Sequence, residues 1–116
     1  MSKAVEIFEV GPRDGLQNEP AFISSEDKIA LTQALAGAGL LRIECASFVS
    51  PNWVPQMADA AQVAEGVTPG AAQLYALAPN NRGLRAALAT PVGGLCVFIA
   101  ATEGFSRANT NISLVG

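Results

Sequence analysis

Histidine is missing from all 116 residues. Its absence removes the commonest general base and the commonest metal ligand from any chemistry assigned to these residues alone. Cysteine occurs twice, at Cys45 and Cys96, each inside an apolar run and neither in a Cys-x-x-Cys pair. A disulfide scaffold of the secreted type needs more, so both read as buried free thiols. No apolar stretch approaches the roughly 18 residues that cross a bilayer. The first residues meet acid at Glu6 and Glu9 rather than the apolar core of a signal peptide. These gaps predict a cytoplasmic protein with no membrane partner. Positive charge is also scarce: seven Lys and Arg stand against ten Asp and Glu, for a net charge of −3. Residues 1–44 hold seven of the acids and four of the bases, and no basic stripe follows. The phosphate-neutralising term of nucleic-acid binding is therefore absent. Apolar residues are plentiful, at 50%. That excludes a disordered chain, and the length suits one small domain with a core.

Residues 4–10 read as a first strand, with Val5, Ile7 and Val10 among its apolar members. A segment rich in turn residues, 11–20, follows. Ser24 and Ser25 are candidate caps for a helix over 26–38, and Glu26 and Asp27 suit its positive first turn. Its apolar stripe is Leu31, Ala34, Leu35 and Ala38, with Gly39 as the stop. A second strand covers 40–46, and a loop at 50–55 is packed by Trp53. A short Ala-rich helix spans 56–65. A third strand at 73–78 leads to a helix at 82–89 carrying Leu84, Ala87 and Leu88 on one face. The fourth strand, 95–100, is apolar throughout, as expected of a parallel strand buried on both faces. This β-α-β-α-β-α-β alternation predicts an α/β fold of about four parallel strands with outer helices. An open doubly wound sheet and part of a (β/α)₈ barrel both satisfy it. No Gly-x-Gly-x-x-Gly or Walker element supports a nucleotide-binding sheet.

In either architecture the loops after the strands carry the site. The first is Gly11-Pro12-Arg13-Asp14-Gly15-Leu16-Gln17-Asn18. Asp14 can offer a hard oxygen to Mg²⁺ or Mn²⁺, and Arg13 can hold an anionic oxygen by charge-assisted hydrogen bonds. A solvated turn with a surface ion pair is the plainer reading. The second is Glu44, inside an otherwise apolar strand, followed by Ser47. A buried carboxylate is costly without a partner, and Arg13 is the natural one; an exposed edge position is the alternative. The third is Ala78-Pro79-Asn80-Asn81, read chiefly as a helix cap. The fourth, 101–106, is polar but not diagnostic.

The run Glu9-Val10-Gly11-Pro12-Arg13-Asp14-Gly15-Leu16-Gln17-Asn18-Glu19 resembles the start of hydroxymethylglutaryl-CoA lyases. Glu44 and the stretch Ser47-Phe48-Val49-Ser50-Pro51-Asn52-Trp53-Val54-Pro55-Gln56-Met57-Ala58-Asp59 resemble their second strand and loop. Ala78-Pro79-Asn80 and the segment Phe105 to Asn111 continue the likeness in order. The Arg-Asp-Gly-x-Gln element is shared with isopropylmalate and homocitrate synthases, whereas the Ser-Phe-Val-Ser-Pro stretch favours the lyase. The resemblance implies a (β/α)₈ barrel performing metal-dependent retro-Claisen cleavage of 3-hydroxy-3-methylglutaryl-CoA to acetyl-CoA and acetoacetate. It implies Asp14 as a ligand of a divalent cation (Mg²⁺ or Mn²⁺) and Arg13 as the group stabilising the enolate. Glu44 then orients Arg13, while Gln17 and Ser47 lie close to the substrate. A complete barrel needs about 250 residues, so residues 1–116 are expected to be its N-terminal half, a truncated lyase inactive alone. The family's His-x-His and Asn ligands and its catalytic Cys fall in the other half, and neither Cys45 nor Cys96 inherits that role. The rival is a non-catalytic half-barrel that serves as a binding or assembly module. Strands one and four, as open edges, separately predict association into a homo-oligomer. A related metal-dependent acyl-CoA lyase or synthase is the other alternative.

Overall fold

The computed structural model describes residues 4–99 and 101–102. Its sheet has four parallel strands in the order β1 (Phe8–Glu9), β2 (Arg42–Ser47), β3 (Gln73–Leu77) and β4 (Gly94–Cys96). The connections carry α1 (Ser25–Gly37), α2 (Ala60–Gly66) and α3 (Asn81–Leu88). Neighbouring strands joined through helices in chain order make the opening of a (β/α)₈ barrel rather than a doubly wound sheet, whose strand order reverses.

Several boundaries differ from expectation. The first strand is two residues long, and Val5 and Ile7 lie exposed. The 11–15 segment is a five-residue π-helical turn instead of a loop. A 3₁₀ turn, Pro55–Met57, precedes α2, because Pro55 fits a first helical turn but cannot donate within one. The fourth strand ends at Cys96, and Val97 and Ile99 are 75% and 91% exposed. No described strand pairs beyond β4, so the apolar run expected inside a sheet forms an open edge. Trp53 does not pack the loop; it is exposed.

The inward face of α1 also departs from the apolar stripe. Lys28 and Thr32 are buried, and Ile29, Leu35 and Ala36 pack against the core. Leu31, Ala34 and Ala38 face outward. The reason is a buried polar network. Lys28 Nζ donates to Asp59 Oδ1 at 2.6 Å and to the Gln56 carbonyl, and it sits 4.6 Å from the centre of the Phe22 ring. Asp59 Oδ2 accepts from Ser25 Oγ at 2.5 Å, and Thr32 Oγ1 donates to the Lys28 carbonyl at 2.9 Å. Every charge in this cluster has a partner, which is what lets it be buried. The cluster ties the start of α1 to the turn before α2. Ser24 caps α1 by accepting from Asp27 N–H at 3.1 Å, and Gly39 closes it at φ 97°, the left-handed conformation that glycine adopts without strain.

The main core lies between the sheet and its helices. Ile43, Cys45, Ala46 and Leu74 meet Ala60, Val63, Ala64 and Val67. Cys45 and Ala46 are consecutive yet share this face, because β2 carries a bulge between Glu44 and Ala46. Pairing runs Glu44 to Tyr75, then Ala46 to Ala76 and Ser47 to Leu77. Glu44 and Ser47, three apart, therefore share the opposite, inner face; plain alternation would separate them.

Candidate active site

The inner face follows from the register. Phe8 pairs with Arg42, Glu44 with Tyr75 and Tyr75 with Gly94; Ser47 pairs with Leu77 and Leu77 with Cys96. At the start of the strands this face is aromatic and cationic: the Phe8 and Tyr75 rings meet edge-on at 4.9 Å, and the Arg42 guanidinium lies 5.9 Å from the Tyr75 ring centre. At the carboxyl ends it holds Glu44, Ser47 and Cys96.

The π-helical turn after β1 brings Arg13 over this end. Arg13 Nε donates to Glu44 Oε1, and Arg13 Nη1 lies 3.3 Å from Asp14 Oδ1. The Glu44 side chain is 5% exposed, Arg13 18% and Asp14 54%. Burial thus increases from the solvent-facing Asp14 through Arg13 to Glu44, and the guanidinium offsets the desolvation of the deeper carboxylate. The guanidinium is planar with a fixed fork of donors, so anchoring Nε to one carboxylate sets where the other donors aim.

Two further residues singled out from sequence stand nearby in chain and register. Gln17 Oε1 and Ser47 Oγ are both buried and have no hydrogen-bond partner among the described residues. Buried polar atoms without partners are uncommon and call for an explanation, a bound group among them. Asn18 Nδ2 donates to the Asp14 carbonyl at 2.8 Å, steadying the turn. Asn80 is a cap: its Oδ1 accepts from Gly83 N–H at 2.8 Å at the start of α3. The 103–106 part of the fourth segment and the family-like run 105–111 lie outside the described residues.

Cys96 was not among the candidates, and it is half-buried rather than fully buried. Burial pushes its thiol up to about 12; a hydrogen bond to Glu44 and the Glu44 charge push the same way, against Arg13. Burial likewise raises Cys45 to about 11. Both are protonated at neutral pH, so neither serves as a base there. Counting along an isolated strand places Cys96 on one face or the other; only its register against Leu77 brings it to Glu44's side.

Among the described residues no three His, Cys, Asp or Glu side chains converge as a metal site. The donors present are the exposed Asp14 carboxylate and the unpartnered Gln17 and Ser47 oxygens, which as hard oxygen atoms suit Mg²⁺ or Mn²⁺ rather than a thiophilic metal. They fit as part of a ligand set, not as a whole one.

A family model described as HMGL-like matches residues 4–115. The 3-hydroxy-3-isohexenylglutaryl-CoA/hydroxymethylglutaryl-CoA lyase of Pseudomonas aeruginosa is 51% identical over 115 residues, covering 98% of this chain and 38% of that protein. The solved HMG-CoA lyase of Bacillus subtilis superposes with a TM-score of 0.92 at 47% identity, over 98% of this chain and 39% of its own. An HMG-CoA lyase from Acinetobacter baumannii, solved with coenzyme A and 3-methylmalate, gives 0.91 at 33% identity, over 95% of this chain and 36% of its own. The chain thus spans little more than a third of the length of these relatives. With four parallel strands in barrel order and the Arg13–Glu44 pair at their carboxyl ends, it belongs to the HMGL-like family.

Proposed function

We propose that residues 1–116 form the N-terminal half of a TIM-barrel lyase domain and supply one wall of a site that cleaves a carbon–carbon bond in 3-hydroxy-3-methylglutaryl-CoA. The observation that carries this reading is the Arg13 guanidinium, anchored through Nε by Glu44 and aimed through Nη1 towards Asp14. Retro-Claisen cleavage passes the 3-hydroxyl proton to a base that residues 1–116 do not supply, and the oxygen left behind becomes the ketone of acetoacetate. The C2–C3 bond breaks and its electron pair moves into the thioester carbonyl, where negative charge gathers on oxygen until C2 takes a proton to give acetyl-CoA. A fixed cation at that oxygen stabilises the transition state more than the ground state. Arg13 takes that part, and Glu44 holds it in place. Gln17 and Ser47 offer their unpartnered polar atoms to the acyl group. Asp14 would hold a divalent cation, Mg²⁺ or Mn²⁺. When bound, such an ion polarises the substrate's oxygens.

Arg13→Ala is expected to weaken binding of an acyl-CoA analogue that carries an enolate-like anionic oxygen roughly 10- to 100-fold, the range for a lost charge-assisted hydrogen bond. Titration calorimetry with Mn²⁺ present reads it. Equal affinity for the variant and the unaltered chain would remove Arg13 from the site.

The exposed β4 edge, with Val97 and Ile99, extends the reading to association of two copies along their open strand edges. Sedimentation across a hundredfold concentration range is expected to show a dimer; a monomer throughout ends this part of the proposal. Two free thiols suit the reducing cytoplasm as the compartment, and recovery of the chain from an organelle or secreted fraction would contradict it. No helix among the described residues is long and apolar enough to cross a membrane.

A further inference from the structure

Arg13 and Asp14 owe their placement to a five-residue turn, and the backbone donors at its head can be followed one by one. Pro12 has no N–H. Arg13 N–H and Asp14 N–H both donate to the Val10 carbonyl, at 3.1 and 2.7 Å. Gly11 N–H, the remaining donor, goes to a side chain: Glu9 Oε1, at 2.9 Å. Every donor at the head of the turn is thereby satisfied, and one of them by a carboxylate that the proposed chemistry does not use.

The register gives that carboxylate its position. Glu9 pairs with Ile43, whose side chain belongs to the helix-side core. Glu9 therefore leaves β1 on the face opposite Glu44 and reaches the turn from behind. From there it does not compete with Glu44 for Arg13: its bond is to the backbone of Gly11, and Arg13 bonds to Glu44 and Asp14. Gly11 itself shows how close the approach is, since a Cβ built there would lie 2.8 Å from Glu9 Oε1.

We propose that Glu9 is a positioning residue: its carboxylate locks the head of the π-helical turn through Gly11 N–H and so fixes the direction from which Arg13 reaches Glu44 and the substrate oxygen. The assignment of the substrate oxygen rests on the function proposed above; the lock itself does not. Glu9→Ala frees the Gly11 amide and lets the turn relax towards ordinary helical or extended backbone, carrying the Arg13 guanidinium with it. Glu9→Gln keeps an oxygen at the same reach and restores the lock.

The test reads geometry by NMR on the whole chain. A hydrogen-bond coupling between the Gly11 amide nitrogen and the Glu9 side-chain carboxyl carbon is expected in the unaltered protein. Hydrogen exchange of the Gly11 amide is expected to quicken about tenfold or more in Glu9→Ala, the factor for about 1.4 kcal/mol. The slowly exchanging Arg13 Nε–H signal is expected to broaden or vanish with it. Glu9→Gln should keep both signals within about threefold. A purely structural role for Glu9 would lower the melting temperature without singling out the Arg13 Nε–H. Unchanged Gly11 exchange in Glu9→Ala overturns the proposal, as does absence of the coupling, which needs no variant and holds even if Glu9→Ala fails to fold. If the NMR signals behave as expected and Arg13→Ala leaves acyl-CoA affinity unchanged, the function falls and the lock stands.

Discussion

Lys28→Ala is expected to lower the unfolding free energy by about 3–5 kcal/mol, the usual cost of removing one partner from a buried ion pair. Lys28 is 2% exposed at its side chain and Asp59 8%. Removing the ammonium leaves the Asp59 carboxylate with Ser25 Oγ as its remaining hydrogen-bond donor, and it also unties the Gln56 carbonyl at the 3₁₀ turn. The stability of a small domain is about 5–15 kcal/mol in all, so the variant should sit near its unfolding threshold at 37 °C. Urea unfolding followed by circular dichroism measures the change. A loss under 1 kcal/mol would mean that water replaces the ammonium without cost. Lys28→Met with Asp59→Leu, which removes both charges and keeps volume, should recover most of the loss.

The 116-residue chain is expected to release no acetoacetate from 3-hydroxy-3-methylglutaryl-CoA above an enzyme-free control, with saturating Mg²⁺ or Mn²⁺. Asp14 is one carboxylate, the chain has no histidine, and no cluster of three ligating side chains exists among the described residues. A divalent ion held by one carboxylate and water binds weakly. The thiols are unsuited to proton abstraction, with Cys96 held up at about 12 and Cys45 at about 11. Arg13 alone orients and stabilises, which leaves most of the barrier in place. A coupled acetoacetate assay decides the matter. Turnover that Asp14→Ala abolishes would show that the chain assembles a working site and would overturn this expectation.

The fold was legible where pattern and chain order carry the information. Alternation of apolar strands with helices gave four parallel strands, and a carboxylate inside an apolar strand pointed to a cationic partner, found as the Glu44–Arg13 bond. It was illegible where a polar residue is buried because another element supplies its partner. Lys28 and Thr32 look like solvent-facing positions until Asp59 and the Gln56 carbonyl, some 30 residues on, are brought against them. Apolarity in α1 therefore marked the wrong face, and Leu35 alone of the expected stripe packs against the core. Edge strands misled in the opposite sense. Val5, Ile7, Val97 and Ile99 have the composition of buried strand residues but have no paired strand among the described residues to bury them. Cys96 stayed hidden because its face depends on register, which hydrogen bonding across strands sets and local sequence does not.

The bulge at Cys45 divides β2 into two halves that count in opposite parity. Up to Glu44 the even positions look into the barrel; at Ser47 an odd one does. Exchange and loss at Cys45 therefore act on the same side of the sheet. Cys45→Ala keeps the bulge and removes only a thiol from the core. Deletion of the residue joins the halves in plain alternation, and Glu44, Ala46 and Ser47 still stand opposite Tyr75, Ala76 and Leu77. The carboxylate and the hydroxyl both stay inside, while the helix-side core loses a side chain and the strand loses the extra bend of its bulge. A single codon at this position thus shapes the outer layer and the curvature of the strand, and leaves unchanged which side chains enter the barrel.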